Sequence, residues 1–590
     1  MCGIAGILND EPSPCALALG KLQASLRHRG PDDAGLWLSP GGRAGLAHTR
    51  LAVLDLSAAG HQPMVAEGHV IVFNGEIYNF RALRAELEAA GGVFHTRSDT
   101  EVLLRLYQRE GPAMLGRLRG MFALAIWDER EQSAFLARDA FGIKPLYYSL
   151  QGGRLAFASE VRALRAAGLA GDTPDAVAIQ RYLENGSVAE PATLLRDVRC
   201  LPAGHHLIWQ DGRVREQAWW RPGFAPQAMT AQEAVERTRA ALVDSLQSHF
   251  VSDVPVGLFL SGGVDSTLLA ALAQAGGHGG LESFSIGVDA ARLDESDVAA
   301  RTAAHFGLRH HLRRLDAAGV ASRFPEFLAR MDQPSVDGFN SFVVAGFARE
   351  QGMKVVLSGL GGDELFGGYP SFQAVPRLAR LADLARHLPG ASALGRRLET
   401  AQLPPRLRRI GDLLQRGPGL AEAWRVFRGI FPRAEARRLA ARLAGCSEAA
   451  LTPTEPAPAV TAEDVRDQVS LLEATGYMRH QLLKDSDVMS MAHGLELRVP
   501  LVDRVLFERI AVIPAELRLR PGKRLLLEAV PEIPDWVAGA PKRGFLFPYQ
   551  EWLAADWGAA FADARAELAD PRAPWYQLWC VFMLRQWLGG

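Results

Sequence analysis

The chain has 590 residues, too many for one hydrophobic core, so two or three domains are expected. Hydrophobic residues make up 48% and the formal net charge is −1, which gives no overall basic surface for nucleic acid or an anionic membrane. No apolar run approaches the roughly 18 residues that span a bilayer, and MCGIAGIL lacks a secretory layout. The five cysteines, Cys2, Cys15, Cys200, Cys446 and Cys580, show neither zinc spacing nor a disulfide framework, so a reducing, cytoplasmic setting is expected.

In chain order, GIAGIL (3–8), LAVLDL (51–56), HVIVF (69–73), FALAIW (122–127) and SAFLA (133–137) read as short strands. FRALRAELEAAGG (80–92) has helical spacing and a terminal glycine. YYSLQGGRLAFAS and HHLIWQDGRVREQAWW place GG and DG between strand-like runs, which predicts hairpins. The first domain is therefore expected to be α+β. RPGFAPQAMT (221–230) reads as a linker. Beyond it, a helix in VERTRAALVDSLQSHF precedes the strand VGLFL (256–260) and a helix from about Thr267. SFSIGV (283–288), a helix near 295–306, HHLRRL (310–315) and KVVLSGL (354–360) continue a βαβ alternation. That pattern predicts a doubly wound parallel sheet with ligands at the carboxyl ends of its strands. The last 200 or so residues read as mostly helical.

Three places carry chemistry. Ser261-Gly262-Gly263-Val264-Asp265-Ser266 lies between a strand and a helix, where small residues let backbone N–H groups approach phosphate. It lacks the lysine of a Walker loop. Ser358-Gly359-Leu360-Gly361-Gly362-Asp363-Glu364 is a second such loop. Asp265 and Asp363 together suit Mg²⁺, although either one alone reads equally as a helix cap. At the other end, Cys2 becomes residue one if Met1 is removed, and its α-amine then serves as base for its thiol. A buried inert cysteine is the alternative on position alone. Asn74-Gly75-Glu76 follows a strand, where the Asn74 amide and the Gly75 N–H could form an oxyanion hole. Arg50 suits a carboxylate and Glu76 with Asp99 an ammonium, the needs of a free amino acid such as glutamine.

With these motifs the chain resembles the glutamine-hydrolysing asparagine synthetases of bacterial type over nearly its whole length. The resemblance rests on MCGIAGI, RHRGPDD (27–33), HTRLAVLD (48–55), FNGEIYN (73–79), SDTE (98–101), GMFALAIWD (120–128) and RDAFGIKPLYY (138–148). In the second half it rests on LFLSGGVDS (258–266), VVLSGLGGDELFGGY (355–369), DSDVMSMAHGLELRVPLVD (485–503) and PKRGF (541–545). It implies a class II, N-terminal-nucleophile amidotransferase sandwich over 2–216, a linker over 217–230 and an ATP-dependent synthetase domain over 231–590. Cys2 would attack the glutamine amide, Asn74 and Gly75 would stabilise the oxyanion, and Arg50, Glu76 and Asp99 would hold the glutamine backbone groups. Released ammonia would travel through an internal tunnel. ATP would lie against Leu260, Ser261, Gly262, Gly263, Asp265, Ser266, Ile286, Ser358 and Gly359, with Mg²⁺ on Asp265 and Asp363. The aspartate carboxylate would attack the α-phosphorus to give β-aspartyl-AMP, and ammonia would displace AMP. Lys542 aligns with the lysine such enzymes place at the reaction centre. It is one of only six lysines among 65 basic residues, the others being Lys21, Lys144, Lys354, Lys484 and Lys523. The implied partners are glutamine, aspartate and ATP, with neither nucleic acid nor membrane, and dimers are common in that family.

Two departures bear on the acceptor. Leu360 stands where the best-known bacterial members have glutamate, and Asp332–Asn340 resembles the acceptor segment only loosely. An amide ligase for a sugar uronate or a peptide, or a non-catalytic nutrient sensor, are the competing readings. The stretch 377–442 holds fifteen arginines against five acidic residues, without aromatic interleaving, and reads as solvated helical faces rather than a nucleic-acid patch. His480 and His493 read as partly buried helix histidines and receive no role.

Overall fold

Alternation along HVIVF sends Val70 and Val72 to one face of a sheet and Ile71 and Phe73 to the other, and both faces are buried. The computed structural model describes residues 2–589 apart from 291, 401–402, 417–418, 452–461, 541–546, 556, 569 and 571–572. Lys542 lies outside the described residues, as do Pro541–Phe545 as a whole.

The first half holds β1 (Cys2–Leu8), β2 (Asp33–Leu38), β3 (Ala44–Arg50), β4 (Met64–Ala66), β5 (His69–Ile77) and β6 (Gly120–Asp128). It continues with β7 (Ser133–Arg138), β8 (Tyr147–Gln151), β9 (Arg154–Ala158), β10 (Arg199–Cys200), β11 (His205–Gln210) and β12 (Arg213–Ala218). They form two antiparallel sheets, ordered β10-β8-β9-β1-β3-β2 and β12-β11-β7-β6-β5-β4. Ile4, Leu8 and Leu46 of the first sheet pack on Val72, Trp127 and Leu136 of the second. Each outer face is covered by helices: Ala16–Ser25 on one side, Phe80–Ala89 and Asp99–Glu110 on the other. Every residue of β1 is buried for this reason.

The second half is built on β13 (Val256–Phe259), β14 (Glu282–Val288), β15 (Arg309–Leu315), β16 (Val355–Leu357) and β17 (Glu496–Arg498), all parallel, in the order β15-β14-β13-β16-β17. Leu258, Val355 and Leu357 face the helix Val264–Ala275, whereas Phe284, Ile286 and Val356 face the helix Phe339–Glu350. Helices on both faces explain why these strands read as continuous apolar runs. The helix expected from Thr267 begins earlier, at Val264, because Gly263 in extended conformation is its N-cap.

One strand assignment is corrected. LAVLDL is a loop, and its apolar residues serve packing rather than pairing. Leu51 and Val53 join Leu242, Leu246 and Leu501 of the second half in one core cluster, with Tyr78, Met121 and Ile143. The two halves thus share buried apolar surface rather than meeting only at a polar seam.

Candidate active sites and their seam

The first site forms where β1, β3 and β5 converge. Cys2 pairs with Arg50 across β1 and β3, and its backbone N–H donates to Asn74 Oδ1 at 2.9 Å. The other end of that amide, Asn74 Nδ2, is buried with no hydrogen-bond partner among the described residues. A buried donor left open beside a thiol is arranged for an oxygen that gains negative charge. Burial pushes the Cys2 thiol up, against the Leu51 N–H and the Arg50 charge, so the resting thiol is protonated and needs a base. Gly75 has φ +154, and a Cβ there would lie 2.0 Å from the Met121 carbonyl oxygen of β6. Gly75→Ala is therefore expected to destabilise the sheet by about 3 kcal/mol and to remove glutaminase activity, checked by thermal melting alongside glutamate release.

Arg50 is 6% exposed, with its guanidinium donating to the carbonyls of Ser57 (2.9 Å), Leu54 (3.2 Å) and Asp55. The loop that was read as a strand thus spends its carbonyls on fixing Arg50. Asp99 accepts from the Ile77 N–H at 3.0 Å and from the Ser98 hydroxyl, yet burial raises it to about 6. Glu76 is raised further, by burial and the nearby Glu496 charge. Its Oε2 lies 3.5 Å from Arg498 Nη2 of β17.

The second site lies at the carboxyl ends of β13 and β16. The 261–266 turn is closed by its own serines: Ser261 Oγ and Ser266 Oγ lie 3.0 Å apart, and the Gly263 N–H donates to Ser261 Oγ at 3.2 Å. The turn after β16 presses against it. A Cβ on Gly359 would meet Asp265 and Ser266 backbone atoms at 2.9 Å, and one on Gly362 would meet Asp265 Oδ1 at 2.3 Å. The glycines of the second motif are needed for this approach between the two turns. Leu260, just past β13, and Ile286 on β14 are buried, and Ser358 donates its N–H to the Arg498 carbonyl at 2.9 Å. Asp265 and Asp363 converge on one ammonium, Lys523 Nζ, at 2.5 and 2.6 Å. Burial opposes that charge and the two carboxylates more than offset it, so the Lys523 pKa is raised. Lys523 also holds φ +55, a left-handed conformation rare for a residue with a side chain.

Beside it, Glu364 accepts from the Tyr369 hydroxyl at 2.8 Å and is pushed to about 7 by burial and Asp363. The Arg428 guanidinium lies 3.9 Å from the Tyr477 ring centre and pairs with Glu473 at 2.7 Å. Leu360 is half-buried against the apolar core. The 332–340 segment is anchored to the first half: Asp332 Oδ1 accepts from the Arg162 N–H at 2.9 Å, and the Val336 N–H donates to the Gly186 carbonyl at 3.0 Å.

Between the sites, Arg29 donates to the Cys2 carbonyl at 3.2 Å and to Asp487 at 2.6 Å, while Lys144 reaches the same Asp487 at 3.2 Å. All three are buried. Sequence reading missed Lys523, Arg29, Asp487 and Arg498. The scarcity of lysine was a signal for the first, whereas the others depend on contacts between distant segments.

A family model described as a glutamine amidotransferase domain matches residues 1–220, and one described as asparagine synthase matches 237–585. Asparagine synthetase [glutamine-hydrolyzing] 1 of Bacillus subtilis is 34% identical over 94% of this chain and 88% of its own. Asparagine synthetase B [glutamine-hydrolyzing] of Escherichia coli is 32% identical over 65% of this chain and 67% of its own. Amidase chry2 of Gibberella zeae is 28% identical over 94% and 90%. With an amidotransferase domain ahead of the matched synthase domain, the chain belongs to the asparagine synthase family.

Proposed function

We propose that the protein is a glutamine-hydrolysing asparagine synthetase, converting ATP, aspartate, glutamine and water to AMP, pyrophosphate, asparagine and glutamate. The observation that carries this reading is the pairing, in one chain, of a buried cysteine beside an open amide donor with two glycine turns pressed together at the carboxyl ends of neighbouring parallel strands. In the first site, with Met1 removed, the Cys2 amine takes the thiol proton and the thiolate attacks the glutamine amide. Asn74 Nδ2 and the Gly75 N–H receive the oxyanion, and Arg50, Glu76 and Asp99 hold the substrate's carboxylate and ammonium. Asp99 binds an ammonium only when ionised. The KM for glutamine is therefore expected to rise as pH falls below about 6, on top of a fall in kcat as the Cys2 amine is protonated, the two separated by initial rates of glutamate formation over a range of glutamine at each pH. The stability sign is opposite: Asp99's raised folded pKa makes its ionisation a cost, incurred as pH rises from the unfolded value near 4 through about 6.

In the second site, ATP would lie along the two turns, against Leu260, Ser261, Gly262, Gly263, Ser266, Ile286, Ser358 and Gly359. The N-terminal N–H groups of the helix Val264–Ala275 would face its phosphates. Asp265 and Asp363 fit a divalent cation, since both already reach one ammonium and both are hard oxygen donors. Mg²⁺ bound there would neutralise phosphate charge, leaving Lys523 to turn toward the nucleotide. Lys542 retains the reaction-centre role that the family resemblance implies. We further propose that 2–216 and 231–590 are the two functional domains, with 217–230 linking them, acting in the cytoplasm.

Leu360 favours one second reading, a different carboxylate acceptor, because an apolar side chain there cannot accept a proton or a hydrogen bond. The test is incubation with glutamine, ATP and Mg²⁺, with and without aspartate. Aspartate-dependent AMP and pyrophosphate in step with asparagine support the synthetase. Glutamate release with neither AMP nor asparagine points to another acceptor.

A further inference from the structure

Arg498 of β17 touches both sites, the first through its side chain and the second through its backbone. Its guanidinium is wholly buried. Nε donates to Glu496 at 2.6 Å, and Nη1 to the carbonyls of His249 and Val251, each at 2.7 Å. Those bonds fix the plane of the guanidinium and bring Nη2 to 3.5 Å from Glu76 Oε2. Neither Nη2 nor Oε2 has a hydrogen-bond partner among the described residues. The two buried groups stop about 0.6 Å short of a charge-assisted bond that would satisfy both. Burial and the nearby Glu496 charge hold the Glu76 carboxyl well above its ordinary range, which weakens its pull on Arg498 while no further cation lies beside it.

The backbone of Arg498 belongs to the other site. It pairs with Leu357 of β16, and its carbonyl accepts the Ser358 N–H at 2.9 Å. Ser358 opens the turn whose next residue, Gly359, lies too close to Asp265 and Ser266 for a Cβ. A shift of Arg498 therefore reaches the nucleotide turns through one hydrogen bond and a close-packed contact. On the reading given above, on which this inference rests, the α-ammonium of glutamine comes to Glu76 and fixes it as a carboxylate. We propose that Arg498 is the positioning residue that couples the two sites: Glu76 held by bound glutamine draws Nη2 across the gap, and the Arg498 carbonyl takes Ser358 and its turn with it, so that glutamine tightens ATP. Linkage makes the effect reciprocal, and ATP tightens glutamine by the same factor.

Cys2→Ala holds glutamine without hydrolysing it, and calorimetric titration then gives the ATP affinity with Mg²⁺ present. Saturating glutamine should tighten ATP about fivefold or more. Glutaramate carries the same amide and carboxylate without the ammonium, and at saturation it should leave the ATP affinity unchanged. Equal tightening by both compounds, or by neither, overturns the proposal. Arg498→Lys in the same background separates coupling from support. Loss of the factor between the ligands is the expected result. Weaker binding of both with that factor intact would show a merely structural arginine. Should this variant fail to fold, Glu76→Gln keeps the size of the side chain and removes its charge. It should bind glutamine more weakly and, at saturation, leave ATP unaffected, and tightening that persists there refutes the route. Independent binding of the two ligands removes the role of Arg498 alone, whereas a chain that binds no ATP or no glutamine fails the reading beneath it.

Discussion

Lys523→Met is expected to lower ATP-dependent amide formation about a thousandfold while leaving glutaminase activity within about twofold. Lys523 Nζ is the cation on which Asp265 and Asp363 converge, and it stands at the point where the two glycine turns meet. Removing it takes away the one cation that both carboxylates share. The apo variant should therefore lose about 3–5 kcal/mol of stability, and added Mg²⁺ should restore part of it. Parallel assays of AMP and of glutamate check the first expectation, and melting curves with and without Mg²⁺ the second. Unimpaired AMP formation would remove Lys523 from the nucleotide site.

Cys2→Ala should abolish glutamine-dependent synthesis, by at least about a thousandfold, and leave ammonium-dependent synthesis within about twofold. The side chain is small and buried between β3 and the Leu51 loop, so its loss removes a thiol and little packing. Substituting ammonium chloride for glutamine in the same assay separates a lost nucleophile from a damaged fold. Parallel loss of both activities would show that Cys2 supports the structure rather than the hydrolysis.

Strands of the three sheets were legible where burial on one or two faces imposed a clear pattern. HVIVF alternates between two cores, and VGLFL and KVVL run apolar because helices cover both faces. LAVLDL misled for a physical reason: its apolar residues pack across the seam onto Leu242 and Leu501, an environment that local pattern does not encode. The strand-end positions of Asp265 and Asp363 were legible because those motifs are local, whereas Asn74-Gly75-Glu76, expected after a strand, lies inside β5 and pairs with β6. The Arg29–Asp487 pair was not legible, since 458 positions separate its members and neither stands in a motif that names a partner. Lys523 lies between these cases. Its rarity as a lysine was visible, but its left-handed backbone and its two carboxylates belong to the folded chain alone.

That seam sets the central claim: one chain releases nitrogen from glutamine in its first half and uses it in its second. The most direct measurement supplies amide-¹⁵N glutamine, ATP, Mg²⁺ and aspartate in the presence of excess unlabelled ammonium, and reads the label in asparagine by mass spectrometry. Asparagine that retains most of the ¹⁵N is the predicted result. Asparagine labelled only to the level of the mixed bulk ammonium pool, or no asparagine at all, would contradict it.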